Sequence, residues 1–212
     1  MHTHYSPDSE MSPERLVARC LQVGLNCIAV TDHNTTEGAF VVREIAPFMV
    51  IIGEEVGTEE GEVTGLFLQE TIPRGLTPVE TAQRIREQGG LVSLPHPFDR
   101  FRSEVITCRG IEDVLPYADI VEVFNSRNNM DADNRKAHEF AREHGLLTSG
   151  VSDSHTPIEL GRTYVTMPEF DGTPAGFKEA LAQGTIHGRK MTPLIHAATT
   201  FTKIKKRLLG RR

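Results

Sequence analysis

The sequence predicts an α/β fold whose parallel strands close into a barrel, and three observations carry the prediction. Short apolar runs alternate with longer amphipathic runs about six times, the pattern of strands joined by helical crossovers. Polar and ionisable residues gather at the C-terminal ends of the apolar runs, in "VTDH", "IIGEE", "SLPHP", "EVFN" and "GVSDSH". The bulk properties suit one domain with a tail: 212 residues, 38% hydrophobic and 25% charged. An open doubly wound sheet fits the alternation equally well, but it would spread the polar strand ends along a crevice. A barrel gathers them on one rim, and that convergence decides in its favour.

Taken in order, the elements follow from local chemistry. "SPERLVARCLQVG" is a helix with Ser12 as N-cap, Pro13 at the first helical position, Glu14 in the first turn and Gly24 as stop. Its Leu16, Val17, Cys20 and Leu21 fall at helical spacing. "NCIAVTDH" and "FMVIIGEEV" read as buried strands, and "GEVTGLFL" as the hairpin partner of the second. "TPVETAQRIREQGG" is a second capped helix, with Thr77, Pro78 and Glu80 at its start and Gly89 at its end. "LVSLPHP" is a strand running into His96, and "ADIVEVFNS" a strand running into Asn125. "DADNRKAHEFAREHG" is a helix, "LLTSGVSDSH" a strand running into Asp153 and His155, and "TPAGFKEALAQG" a last short helix.

Residues 1–190 form the expected barrel and 191–212 a basic tail, whose last ten residues hold six basic side chains and no acidic one. The tail reads as a frayed, solvated helix end that could lend nonspecific phosphate contacts to an oligonucleotide. The net charge of -6 makes the body acidic, which opposes a broad nucleic-acid face and suits carboxylates that hold cations. Three cysteines, with no C-x-x-C, give no disulfide framework. No apolar run reaches the ~20 residues of a membrane helix, and with no signal peptide before the first histidine the expected location is cytoplasmic. P-loop, Rossmann and nucleophile-elbow motifs are absent from the sequence.

Nine histidines are present. His2, His4, His33, His96 and His155 sit at or just past predicted strand ends. His138 and His144 lie on a predicted helix, and His187 and His196 near the tail, where solvation explains them. In a strand, residues i and i+2 share a face, so His2 with His4, and Asp153 with His155, could each ligate one ion. Imidazole with carboxylate suits zinc, manganese or iron. The donors exceed what one tetrahedral ion needs. Two or three ions would use them, and paired ions ~3.5–4 Å apart recur in phosphate-ester hydrolysis.

"HTHYSPDS", "AVTDHN", "IGEEV", "PHPF", "EVFN" and "SDSH", in that order, resemble the motif series of the PHP (polymerase and histidinol phosphatase) family. The likeness runs from residue 2 to about residue 166. It implies a distorted (β/α)7 barrel with a trinuclear metal centre on the C-terminal rim of the strands. It also implies that His2, His4, Glu55 and Asp153 hold a first ion, that Glu55 bridges to a second held by His96, and that His33 and His155 hold a third. Asp8 resembles an acidic ligand, with spacing one residue short. Glu62, in "EVTG", stands where many members carry histidine, which shifts the expected metal toward manganese, magnesium or iron. Only Met1 precedes His2, so the first strand is nearly absent.

Glu54 points away from Glu55 by strand alternation. Asp32 is expected to orient His33 or cap the turn. Arg162 resembles an arginine of phosphoesterase members, and Arg127 sits beyond a strand end. Either guanidinium could grip phosphate. Asn125 could bind substrate or a metal-bound water, or cap the turn. The expected activity is phosphoester hydrolysis at two or three divalent ions (manganese, zinc, iron or magnesium). The expected substrate is a small phosphorylated molecule or nucleotide, with nucleic-acid ends a further option. A metal-dependent amidohydrolase and a non-catalytic metal-binding module are the alternatives. Against the amidohydrolase, no lysine occurs at any strand end.

Overall fold

The computed structural model describes residues 1–128, 130–192 and 194–208. Helix α1 (Pro13–Val23) starts where Ser12 accepts from the Arg15 amide and stops at Gly24, whose φ of 76° lies in the left-handed region glycine enters freely. Strands β1 (Cys27–Val30), β2 (Met49–Thr58), β3 (Gly61–Leu66), β4 (Leu91–Leu94), β5 (Ala118–Asn125) and β6 (Leu147–Val151) form one sheet in sequence order. The sheet curls into a half-barrel. Strands β7 (Thr163–Thr166) and β8 (Thr185–Gly188) make a separate antiparallel pair that packs beside β6.

The pairing is mixed rather than all parallel. β1–β2, β4–β5 and β5–β6 run parallel, while β2–β3 and β3–β4 run antiparallel. The cause is local: β2 turns straight into β3 through Glu59 and Glu60, a connection too short for anything but a hairpin.

Helices α2 (Glu37–Ile45), α3 (Pro78–Glu87), α4 (Cys108–Val114) and α5 (Asp131–His144) cover the outer face of the sheet. Val30, Ile52, Val63, Val92, Leu94 and Val121 of the strands meet Leu16, Val42, Ile85, Val114 and Ala141 of the helices in one buried layer. Thr77 and Glu80 close a full capping box at the start of α3. A second cluster, of Ile51, Leu66, Leu91 and Ile120, faces the barrel interior, where Phe177 and Leu181 of α6 (Pro174–Ala182) pack against it.

The basic segment is not a frayed end through Leu208. It forms α7 (Leu194–Leu208), tied to the first ten residues. Lys205 Nζ pairs with Glu10 at 2.6 Å, and Lys206 Nζ donates to the carbonyls of His4 and Ser6 at 2.7 and 2.6 Å. Residues 209–212 of the expected tail lie outside the described residues. Among the described residues no helix is long and apolar enough to cross a membrane.

Candidate metal centre

Every strand that runs parallel to its neighbour delivers a polar residue to the same rim. The β1–β2 ladder ends in an isolated parallel bridge between His33 and Glu55, which sets these two side by side. His96 lies two residues past β4, Asn125 ends β5, and Asp153 lies two residues past β6. The chain start joins this rim by backbone pairing. Met1 O accepts from Thr31 N at 2.9 Å and His2 N donates to Ser154 O at 2.9 Å, which wedges the first two residues between the ends of β1 and β6.

Asp32 folds the start of the chain rather than orienting the His33 ring. Its carboxylate is fully buried and accepts from Thr3 N, Thr3 Oγ1 and Ser6 Oγ at 2.5, 2.6 and 2.9 Å. Gly38 of α2 makes room for that cluster: a Cβ there would lie 2.1 Å from Asp32 Oδ2 and 2.4 Å from Thr3 Oγ1.

His2 occupies the middle of the cup. Its Nε2 stands 3.2 Å from Asp153 Oδ1 and 3.3 Å from Glu55 Oε2, and its ring stacks on His155 at 4.1 Å and on His33 at 4.6 Å. Glu55 turns its other oxygen to His96 Nε2 at 3.1 Å. His33 Nδ1 meets Glu62 Oε1 at 3.1 Å, and its Nε2 meets Asp8 Oδ2 at 3.5 Å. Asp8 Oδ1 meets His155 Nε2 at 3.3 Å. His155 Nδ1 lies 2.9 Å from the Asp153 carbonyl, an arrangement that keeps Nε2 for a ligand. His96 and Asp153 both have positive φ, 30° and 48°. Such backbone costs energy in a non-glycine residue, and it recurs at functional sites.

The geometry thus gathers His2, Asp8, His33, Glu55, Glu62, His96, Asp153 and His155. It does not gather His4. The extended backbone ends at Thr3, where the Ser6 amide turns back to the Thr3 carbonyl. The same-face rule therefore fails at His4, which is exposed and stacks on Tyr5. Arg127 is not held open for a phosphate: it is buried, with Nε donating to Glu159 at 2.7 Å. Arg162 is exposed at the approach to β7, where its amide bonds the Glu159 carbonyl. Asn125 orients the cup from behind, its Nδ2 donating to Asp153 Oδ2 and Glu122 Oε2 at 3.3 Å each.

Three residues that the motif reading does not single out complete the surroundings. Arg102 donates to Asp153 and pairs with Asp99. Glu122 accepts from the His96 amide at 3.1 Å. Glu159 accepts from His155 N, Thr156 N and Thr156 Oγ1 as well as from Arg127. Glu122 stands within the "EVFN" motif, but an irregularity in the β5–β6 register between Glu122 and Phe124 defeats simple alternation. No local signal marks Arg102, which lies in the irregular segment after β4.

Charge is unevenly shared. Burial opposes the His2 imidazolium, yet Asp153 and Glu55 hold its pKa above the usual 6.5. Burial likewise opposes charged His33, but Glu55, Asp8 and Glu62 raise it well above that value. His155 is driven down to about 3 by burial and by the neighbouring His2. Burial opposes the Glu55 carboxylate, but His33, His2 and His96 keep it well below the usual range. Burial lifts Glu122 to about 7.

These residues fit divalent ions. Four acids and four imidazoles share one buried cup. Donor atoms of His2, Asp8, His33 and His155, and of His33, Glu55 and Glu62, each lie within 4.8 Å of one another. His96 Nδ1 is buried with no hydrogen-bond partner, so that ring is held through Nε2 alone. Such a mixed nitrogen and oxygen set suits transition ions more than calcium.

A curled α/β barrel with an acid and imidazole cup at its strand ends defines a class of metal-binding barrel protein. Residues 1–109 match the PHP domain and residues 131–186 the PHP-associated region. The chain belongs to the PHP domain family.

Two curated relatives come from Methanocaldococcus jannaschii. The uncharacterised protein MJ1587 is 38% identical, over 59% of this chain and 79% of its own. The uncharacterised protein MJ0417 is 40% identical, over 68% of this chain and 58% of its own. Among solved structures, a two-domain protein of Bacteroides vulgatus containing a predicted PHP-like metal-dependent phosphoesterase superposes with a TM-score of 0.68. It is 20% identical and covers 89% of this chain, which spans 63% of that one. Endonuclease Q bound to a 27-mer duplex with an abasic lesion gives 0.61, at 16% identity, over 91% of this chain and 58% of its own. An amidohydrolase of Chromobacterium violaceum with bound sulfate gives 0.62, at 14% identity, over 94% of each chain. At these identities the structural likenesses show the fold.

Proposed function

We propose that the protein is a metal-dependent phosphoesterase whose centre holds two or three divalent ions. The observation that carries the reading is Glu55. One of its oxygens faces His96 and the other faces His2, so a single carboxylate links two sets of imidazole donors. His2 and Asp153 would share one ion with Glu55. His96 would share a second. His33, His155 and Asp8, with Glu62 at the edge, would hold the remaining charge. When bound, such ions supply an activated water near neutral pH and neutralise charge on a phosphoryl group.

The chain's own residues do the positioning. Asn125 and Arg102 fix both rotamer and charge of Asp153. Glu122 fixes the His96 amide. Glu159 fixes the His155 loop. All eight donors are largely removed from solvent, which strengthens each interaction with a developing charge. The phosphoesterase and endonuclease neighbours support a phosphoester substrate. The amidohydrolase neighbour keeps the second hydrolytic reading in view, but no lysine stands at a strand end here.

The test is reconstitution with manganese, zinc, iron or magnesium, followed by assay of a phosphomonoester, a phosphodiester and short oligonucleotides. Release of phosphate or cleavage that disappears in His96→Ala is expected. A metal-loaded protein that leaves every phosphoester intact overturns the reading.

A further inference from the structure

We propose that Lys203, carried on α7, is the cation that receives the substrate's phosphate at the mouth of the cup. The inference rests on the phosphoesterase reading and names a residue for it. Beside its ions, an acidic cup can use a side-chain cation at its mouth to orient a phosphate, and Arg127, read from the motifs, does not offer one. Arg127 is buried, with its Nε on Glu159. Arg102 is engaged with both Asp153 and Asp99.

Lys203 is placed differently. Its Nζ lies 3.5 Å from Asp8 Oδ2 and 3.9 Å from Glu104 Oε1, and its side chain is 47% exposed. Asp8 Oδ2 is also the oxygen that meets His33 Nε2. The ammonium is therefore one carboxylate away from the His33 and His155 ring nitrogens, on the solvent side. Both of its contacts are long, and ions held by Asp8 would weaken the first. The half-exposed ammonium thus keeps N–H donors at the mouth for phosphate oxygens.

The rest of the helix holds the lysine there. Lys206, one turn on, is fastened to the carbonyls of His4 and Ser6, and Lys205 to Glu10. These contacts grip the loop that carries Asp8, so α7 acts as a strap across one side of the opening. Arg207 on the same helix is exposed and serves as the control.

The experiment uses the full chain loaded with Mn²⁺. Inorganic phosphate binding is measured by calorimetry, Mn²⁺ content by elemental analysis, and turnover with an aryl phosphate monoester. Lys203→Ala is expected to weaken phosphate binding about tenfold and to raise KM by a similar factor, with kcat within about threefold. Mn²⁺ content should stay unchanged, Lys203→Arg should recover most of the affinity, and Arg207→Ala should match the parent. Unchanged phosphate affinity in Lys203→Ala overturns the proposal, even if thermal stability drops, because the lysine then only fastens the helix. A loss of Mn²⁺ in Lys203→Ala, or no phosphate binding by the Mn²⁺-loaded parent, overturns it too. If the parent binds phosphate through Lys203 but hydrolyses no phosphoester, the phosphoesterase reading fails while the anion site stands.

Discussion

Glu55 Oε1 stands 3.1 Å from His96 Nε2, although 41 residues separate them. The contact exists because β2 and β4 flank the β3 hairpin arm and deliver both residues to one rim. The other Glu55 oxygen serves His2, so this side chain is the link between two donor sets.

Glu55→Gln keeps the shape and removes the charge. We expect Mn²⁺ content to fall by at least one ion per chain and turnover to fall on the order of 10³-fold. Elemental analysis beside a phosphate-release assay checks both. Full metal content in the variant would show that Glu55 is not the link.

The two histidines of "HTH" should separate cleanly. His2 is buried between Glu55 and Asp153, while His4 is exposed on Tyr5. His2→Ala is expected to lose metal and reduce turnover by about 10²-fold or more. His4→Ala should stay within about twofold of the parent. Equal losses in the two variants would mean that His4 swings into the cup when metal binds.

Much of this was legible in the sequence because strand ends carry their own punctuation. The capped α1 and α3 fall where Ser12, Thr77 and their prolines and glycines place them. The pair of sequence strands around Glu59 and Glu60 forms the hairpin. Helix α2 was not legible: its N-cap Thr36 makes no side-chain cap bond, and Gly38 sits inside it for the sake of Asp32. The separate β7–β8 pair, four residues per strand, offers too little pattern to read. At the site, failures came wherever regular backbone stopped. Strand alternation stops one residue before His4, and an irregular register takes Glu122 out of its pattern. Arg127 shows a different limit. Its charge was visible, but its buried partner Glu159, 32 residues on, was not.

That pair yields a stability prediction. Arg127 and Glu159 are both buried, 4% and 0% exposed at the side chain, with Nε and Oε1 2.7 Å apart. Removing one partner of such a pair strands the other charge, which typically costs about 3–5 kcal/mol. Arg127→Met should therefore unfold at markedly lower urea concentration, and the His155 loop that Glu159 holds should lose metal affinity with it. A variant with parental stability but raised KM would return Arg127 to the role of phosphate grip.

Glu54 gives the pH dependence. It is fully buried on the face of β2 opposite Glu55, and its Oε2 accepts from the Ile72 amide at 2.8 Å. Burial lifts its pKa from 4.5 to about 7, against the smaller pull of that hydrogen bond. Below pH 4.5 the carboxyl is neutral in both folded and unfolded chains. Between 4.5 and 7 the unfolded chain releases its proton first, so the native state binds more protons and stability falls as pH rises. Above pH 7 the full penalty stands, about 3 kcal/mol for a shift of this size. Glu54→Gln retains an oxygen for the Ile72 amide and removes the titration. Urea unfolding at pH 5 and pH 8 should show the variant gaining stability over the parent at the higher pH by about 2 kcal/mol relative to the lower. Parallel behaviour of the two proteins across that range would show that Glu54 is ionised in the folded chain throughout.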